Sequence, residues 1–212
     1  MGLGIWAMHF VGMLALIMPM AVSYHLPTVL LSLLTAICAS GVALFVVSRP
    51  KITMWQQIAG SAVMGSGIAA MHYVGMAAMR CAAVIVYDFR IAALSIGLAV
   101  VISLVALHLA SQVRDEKQTS WRKIISALVM GSAIPLMHYT GMWAATFRSS
   151  SAAVDLTHGV GVSMIGIEAI SACSFWGRPG GLRSRYRSMR RRIVLAGFLL
   201  MTGAMCLAGG FG

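Results

Sequence analysis

The chain carries one phrase three times: MGLGIWAMHFVGM at residues 1–13, MGSGIAAMHYVGM at 64–76 and MGSAIPLMHYTGM at 130–142. The copies align without gaps, at offsets of 63 and 66 residues. Self-similarity at a fixed period means one supersecondary unit used repeatedly. The likeness runs on past the phrase. Ser23-Tyr24-His25 corresponds to Val86-Tyr87-Asp88 and loosely to Val154-Asp155, and Leu31-Ser32 corresponds to Leu94-Ser95 and Val162-Ser163. Each unit reads as a two-helix hairpin with the phrase in its first helix and a turn after it. Three units predict six helices.

Composition places those helices in a bilayer. Of 212 residues, 59% are hydrophobic and only 10% charged, and the mean hydropathy is +0.88. A soluble domain needs roughly 25% charged residues to cover its surface, and a disordered chain is far more polar. Apolar runs near 2–21, 28–48, 58–79, 91–113, 124–147 and 160–176 are each about long enough to cross a membrane. A seventh run lies at 193–211. Backbone groups in lipid must be satisfied within a segment, so the runs are helices. The expected fold is all-α, a polytopic transmembrane bundle of three two-helix repeats in the plasma (inner) membrane.

The net charge of +11 would point to nucleic acid in a soluble protein. Here it follows topology. Thirteen of the 16 basic residues fall in 49–57, 114–123 and 177–192, and only Arg80, Arg90 and Arg148 fall in the other loops. The first group is therefore cytoplasmic, the turns at 22–27, 80–90 and 148–159 face outward, and no nucleic-acid partner is expected. The four cysteines have no CxxC spacing, which gives neither a disulfide framework nor a zinc motif.

On a helix, the three methionines and the histidine of each phrase fall within an arc of about 140°. His9 and Met13, His72 and Met76, and His138 and Met142 are i,i+4 pairs whose side chains can meet. The aromatic after each histidine (Phe10, Tyr73, Tyr139) turns away from that face. His72 and His138 lie roughly 21 Å into a core of about 30 Å, in its outer half. Three imidazoles can thus converge at one depth. Imidazole with soft thioether, and no thiolate or carboxylate, favours copper over zinc or magnesium. The competing reading is structural, with histidines bridging the repeats. A histidine in lipid is costly, and its threefold retention weighs toward a ligand role. The motif glycines read as helix-packing positions. His25 and His158 fall in outward turns and read as solvated, and His108 as a helix-packing histidine. Arg80 either pairs with Asp88 or snorkels to the interface.

MHF, MHY and MHY, each followed by x-G-M in paired spans, resemble the MHYT domain, a bacterial integral-membrane sensory family. The resemblance covers residues 1–176. It implies a seven-span fold and a copper site made by Met8, His9, Met13, Met71, His72, Met76, Met137, His138 and Met142. It further implies sensing of oxygen, carbon monoxide or nitric oxide. Family members are often joined to diguanylate cyclase, phosphodiesterase, kinase or DNA-binding outputs, so a separate cytoplasmic signalling partner is expected. The family's first span has no counterpart before Met1, which predicts a truncated start or a misassigned start site. Residues 177–212, an Arg-rich stretch and an apolar tail, are atypical of the family and predict a frame-shifted or degenerate end.

Three other classes compete with the sensor. Metal transport would need polar residues along the whole depth, and the His/Met cluster is confined to one half. Haem binding would use two of the histidines as axial ligands. A non-functional fragment would explain both atypical ends. Enzymatic activity is not expected, because none of the five acids lies in a motif helix and Glu168 is the one acid inside a span.

Overall fold

The computed structural model describes residues 2–14, 21–49, 53–113, 121–150, 157–161, 163–167 and 171. Five long helices dominate: α1 (Gly2–Leu14), α2 (Leu26–Ser48), α3 (Met54–Ala77), α4 (Phe89–Val113) and α5 (Trp121–Trp143). A helical turn at 163–167 follows. The frame-shift expectation for 177–212, the apolar run at 193–211, most of the basic residues expected to be cytoplasmic and Glu168 lie outside the described residues.

Local chemistry sets the helix ends. Thr53 and Gln56 form a reciprocal capping box that starts α3 at Met54, four residues before the expected Ile58. Pro27 sits in the first turn of α2, where its missing N–H is harmless. Asp88 starts α4, its Oδ1 accepting from the backbone N–H of Arg90 at 2.8 Å and of Ile91 at 3.3 Å. Asp88 is thus spent as a cap. The Arg80 guanidinium instead donates to the Ala77 carbonyl at 3.3 Å, so the alternative of an Arg80–Asp88 pair is corrected.

The motif helices α1, α3 and α5 touch one another. Between them, α2 packs on α1 and α3, and α4 on α3 and α5. The turn at 163–167 approaches the last gap: a Cβ on Gly166 would strike the Leu14 side chain at the end of α1. Two closely packed pairs share one device. A Cβ on Gly2 would sit 2.8 Å from the Ala36 carbonyl carbon, and one on Gly65 would sit 2.8 Å from that of Ala99. One glycine position of the motif, in two of its copies, therefore lets backbones meet.

Buried serines repeat the pattern. Ser32 accepts from Trp6 Nε1 at 3.1 Å, and its counterpart Ser95 bonds the Tyr73 hydroxyl at 2.7 Å. Where Phe10 lacks the hydroxyl of Tyr73, Trp6 supplies the missing donor one turn away. His108 is a satisfied packing histidine, with Nδ1 3.2 Å from Gln57 Oε1 on the neighbouring helix.

The all-α expectation needs correction at one end of the bundle. The segments read as turns, together with the ends of the apolar runs beside them at 79, 145–147 and 160–161, contain β1 (Ser23–His25), β2 (Met79–Arg80), β3 (Ala83–Tyr87), β4 (Ala145–Ser149) and β5 (Gly159–Gly161). They form a three-stranded sheet ordered β2-β1-β5 and a two-stranded sheet β3-β4, all antiparallel. Strands cap the helices because backbone groups leaving a helix end still need partners. The pairing follows the repeat. His25 N–H donates to the Ala78 carbonyl and Asp88 N–H to the Ala144 carbonyl, both at 2.8 Å. Those two bonds, and the pairs Tyr24↔Met79 and Tyr87↔Ala145, are related by the offsets of the motifs. His25 is half-buried rather than solvated, its Nδ1 2.8 Å from Thr28 Oγ1, while His158 is exposed as expected.

Two helical segments, Leu26–Val46 and Phe89–Leu109, are long and apolar enough to cross a membrane. Their outer faces leave large apolar side chains uncovered, including Leu30, Leu34, Ile37, Leu44 and Phe45 on α2 and Leu94 and Val101 on α4.

Candidate metal centre

His9, His72 and His138 each stand five residues before the last residue of their helix. All three are buried. They turn the same ring atom inward. Nδ1 of His9 lies 3.2 Å from that of His138 and 3.2 Å from that of His72, and the last pair is 3.1 Å apart. The rings meet edge to face, with centroids 5.0 Å apart on every side. Among the described residues this is the one cluster of three His, Cys, Asp or Glu able to hold a metal ion.

A triangle of imidazole nitrogens cannot be satisfied by protons. Each Nδ1 is either a donor or an acceptor along a single in-plane direction. Whatever tautomers are chosen, at least one edge joins two like groups. The outer nitrogens give no relief, since Nε2 of His9 and of His72 are buried without a hydrogen-bond partner. A cation facing all three Nδ1 lone pairs satisfies them together and leaves the protons on Nε2. The dimensions fit as well. Three of four tetrahedral ligands at metal–nitrogen bonds of about 2.0 Å stand about 3.3 Å apart.

The methionines are placed less decisively. Met13, Met71, Met76 and Met137 belong to the buried core, and Met142 packs against it. Met8 is half-buried and stands outside that cluster. The structure brings the three imidazoles together and leaves the thioethers near them only by helix position.

The aromatic residues turn outward as expected and wedge the rings from behind. Phe10 packs edge-on against His9 and Tyr24, and the equivalent Tyr73 packs edge-on against His72 and Tyr87. Burial holds the Tyr24 phenol above its ordinary range, with Cys81 adding to the effect.

Two glycines expected as ordinary packing positions lie against the imidazole rings. A Cβ at Gly75 would collide with His9, and one at Gly141 with His72. The H-x-x-G spacing was the available signal. What it does not reveal is that each glycine serves the histidine of the preceding motif.

These features define a helical repeat domain with a buried three-histidine centre beneath a small β cap. The chain belongs to the MHYT family, described as a bacterial signalling protein N-terminal repeat, whose model matches residues 2–60 and 65–121. It is 50% identical over 157 residues to the bifunctional diguanylate cyclase/cyclic di-GMP phosphodiesterase MucR of Pseudomonas aeruginosa, covering 71% of this chain and 22% of that protein. It is 37% identical over 186 residues to the cyclic di-GMP phosphodiesterase NbdA of the same organism, covering 83% and 24%. It is 39% identical over 155 residues to the signaling protein YkoW of Bacillus subtilis, covering 72% and 19%. The chain therefore spans about a quarter or less of the length of these relatives. No solved structure matches it.

Proposed function

We propose that the chain is a multi-pass plasma-membrane sensor of three two-helix repeats that holds copper at His9, His72 and His138. In this reading it responds to oxygen, carbon monoxide or nitric oxide. The observation that carries the reading is the Nδ1 triangle of 3.1–3.2 Å, which protons alone leave unsatisfied. The repeat architecture is supported by the equivalent cap hydrogen bonds from His25 and Asp88. The membrane reading is supported by the apolar outer faces of α2 and α4.

Bound copper would supply a redox-active centre with an open position for a diatomic ligand. The chain supplies the rest. Three neutral imidazoles aim their lone pairs at one point. Phe10 and Tyr73 fix two of the rings from behind. Met8, Met13, Met71, Met76, Met137 and Met142 give those helices soft donors that favour copper over harder ions. Burial of the histidines keeps bulk water from the site. A change at the centre would tilt α1, α3 and α5 against one another and reach the cytoplasmic ends as a shift between two packings. The printed names of two relatives concern cyclic di-GMP turnover. A cytoplasmic output protein of that kind is the partner we propose, with this region sensing rather than catalysing.

Haem fits the geometry poorly. Two axial imidazoles would stand roughly 4 Å apart with the macrocycle between them, whereas every Nδ1 pair here is closer than that.

The test is the metal content of detergent-purified protein. Wild type should carry copper, and the triple variant His9/His72/His138→Ala should carry none. Equal copper in the two would refute the ligand assignment.

A further inference from the structure

Metal-ligating histidines are ordinarily aimed by a hydrogen bond at their second ring nitrogen. His9 and His72 lack that device, because each Nε2 is buried with no partner. Something else must hold the rings in register.

The backbone of the neighbouring motif helix does so. Build a Cβ on Gly141 and it lies 2.5 Å from Nε2 and 2.9 Å from Cδ2 of His72. Build one on Gly75 and it lies 2.9 Å from Cδ2 of His9, with Nε2 closer still. Real Cβ contacts are essentially never that short. Both glycines and both histidines are buried, so the rings have no solvent to yield into. Glycines at the start of the motif differ in what they meet. Gly2 and Gly65 face helix backbone, and Gly4 and Gly131 meet nothing within 4 Å.

We propose that Gly75 and Gly141 are positioning residues of the imidazole centre, each seating the histidine of the preceding motif. Each motif then has two roles: it offers one ligand inward and provides the seat for another. A ligand's aim is set by the following helix rather than by its own. The proposal rests on the metal-centre reading for its functional meaning, but the seat is a property of the metal-free fold.

The experiment uses the full chain in detergent as wild type, Gly141→Ala, His72→Ala, the double variant, and Gly131→Ala as a control. Two quantities are read: Cu(I) affinity by competition with a chromogenic chelator, and the unfolding temperature without metal. Gly141→Ala should weaken Cu(I) binding about 10- to 100-fold and lower the metal-free unfolding temperature. On the His72→Ala background the same substitution should do neither, because the ring it would strike is gone. Gly131→Ala should behave as wild type. An equal loss on both backgrounds would overturn the proposal, since the position would then be general packing. Unchanged Cu(I) affinity in Gly141→Ala would also overturn it. If Gly141→Ala does not fold, a folded double variant supports the seat and an unfolded one overturns it. If wild type binds no copper, the metal-centre reading fails, while the metal-free coupling between Gly141 and His72 still decides the seat.

Discussion

Replacing His72 by leucine should stabilise the protein without metal and destabilise it, relative to wild type, with metal. The imidazole leaves Nε2 buried and unpartnered, and its Nδ1 stands in a triangle where at least one edge joins like groups. Each unmet buried polar group costs about 1–3 kcal/mol. Leucine removes two such groups and adds none. Its branched shape over Gly141 returns a packing penalty of about 1 kcal/mol, at the low end for a crowded core. The net gain is roughly 2 kcal/mol for the metal-free variant. Copper at a hundred times its dissociation constant stabilises wild type by about 2.7 kcal/mol, whereas a two-imidazole site weakened about 100-fold gains only about 0.4 kcal/mol at the same concentration. The order of stability should therefore invert on adding Cu(I). The assay is unfolding in one detergent, followed with chelator and with Cu(I), for both proteins. A metal-free His72→Leu protein less stable than wild type would refute the argument. So would an equal Cu(I)-induced shift in both.

Other expectations follow from single contacts. Tyr73→Phe removes the 2.7 Å bond to Ser95 between α3 and α4 and should cost about 1 kcal/mol, measured by the same unfolding assay. Trp6→Phe should cost a similar amount through Ser32. Asp88→Ala removes the cap of α4 and should cost about 1 kcal/mol, whereas Asp88→Asn, which keeps the accepting oxygen, should cost less. The Tyr24 phenol is raised by burial, so it favours the fold while both states are protonated. That contribution should fade as pH rises above the ordinary phenol value of about 10. Tyr24→Phe should flatten the alkaline limb of the stability profile.

The histidine trio was legible because the phrase repeats. An equal place in the phrase puts His9, His72 and His138 at equal height on their helices, and equal height in neighbouring helices brings side chains together. Which nitrogen faces inward was not legible, since it depends on ring rotation against the neighbouring backbone. The strands were missed although AVIVY at 83–87 carries the β-branched residues of a strand. Its partner β4 is a lifetime of sequence away, and a segment between two long apolar runs reads first as a turn. The early start of α3 was written in Thr53 and Gln56, a capping box outweighed by counting apolar residues. The roles of Gly75 and Gly141 needed the fold, because the ring each seats comes from another helix.

The number of repeats is itself an argument about chemistry. Two facing imidazoles can share a proton, one donating and one accepting, and such a pair is an ordinary structural hydrogen bond between helices. That is the bland explanation for a buried histidine, and for two motifs it would be sufficient. A third imidazole at the same distance breaks it, because donors and acceptors cannot alternate around a triangle. The observed edges of 3.1–3.2 Å are equal within a tenth of an ångström. A bonded pair with a bystander would instead give one short edge and two long ones. Equal edges are the arrangement expected when a single charge at the middle, rather than any one neighbour, is what each ring addresses.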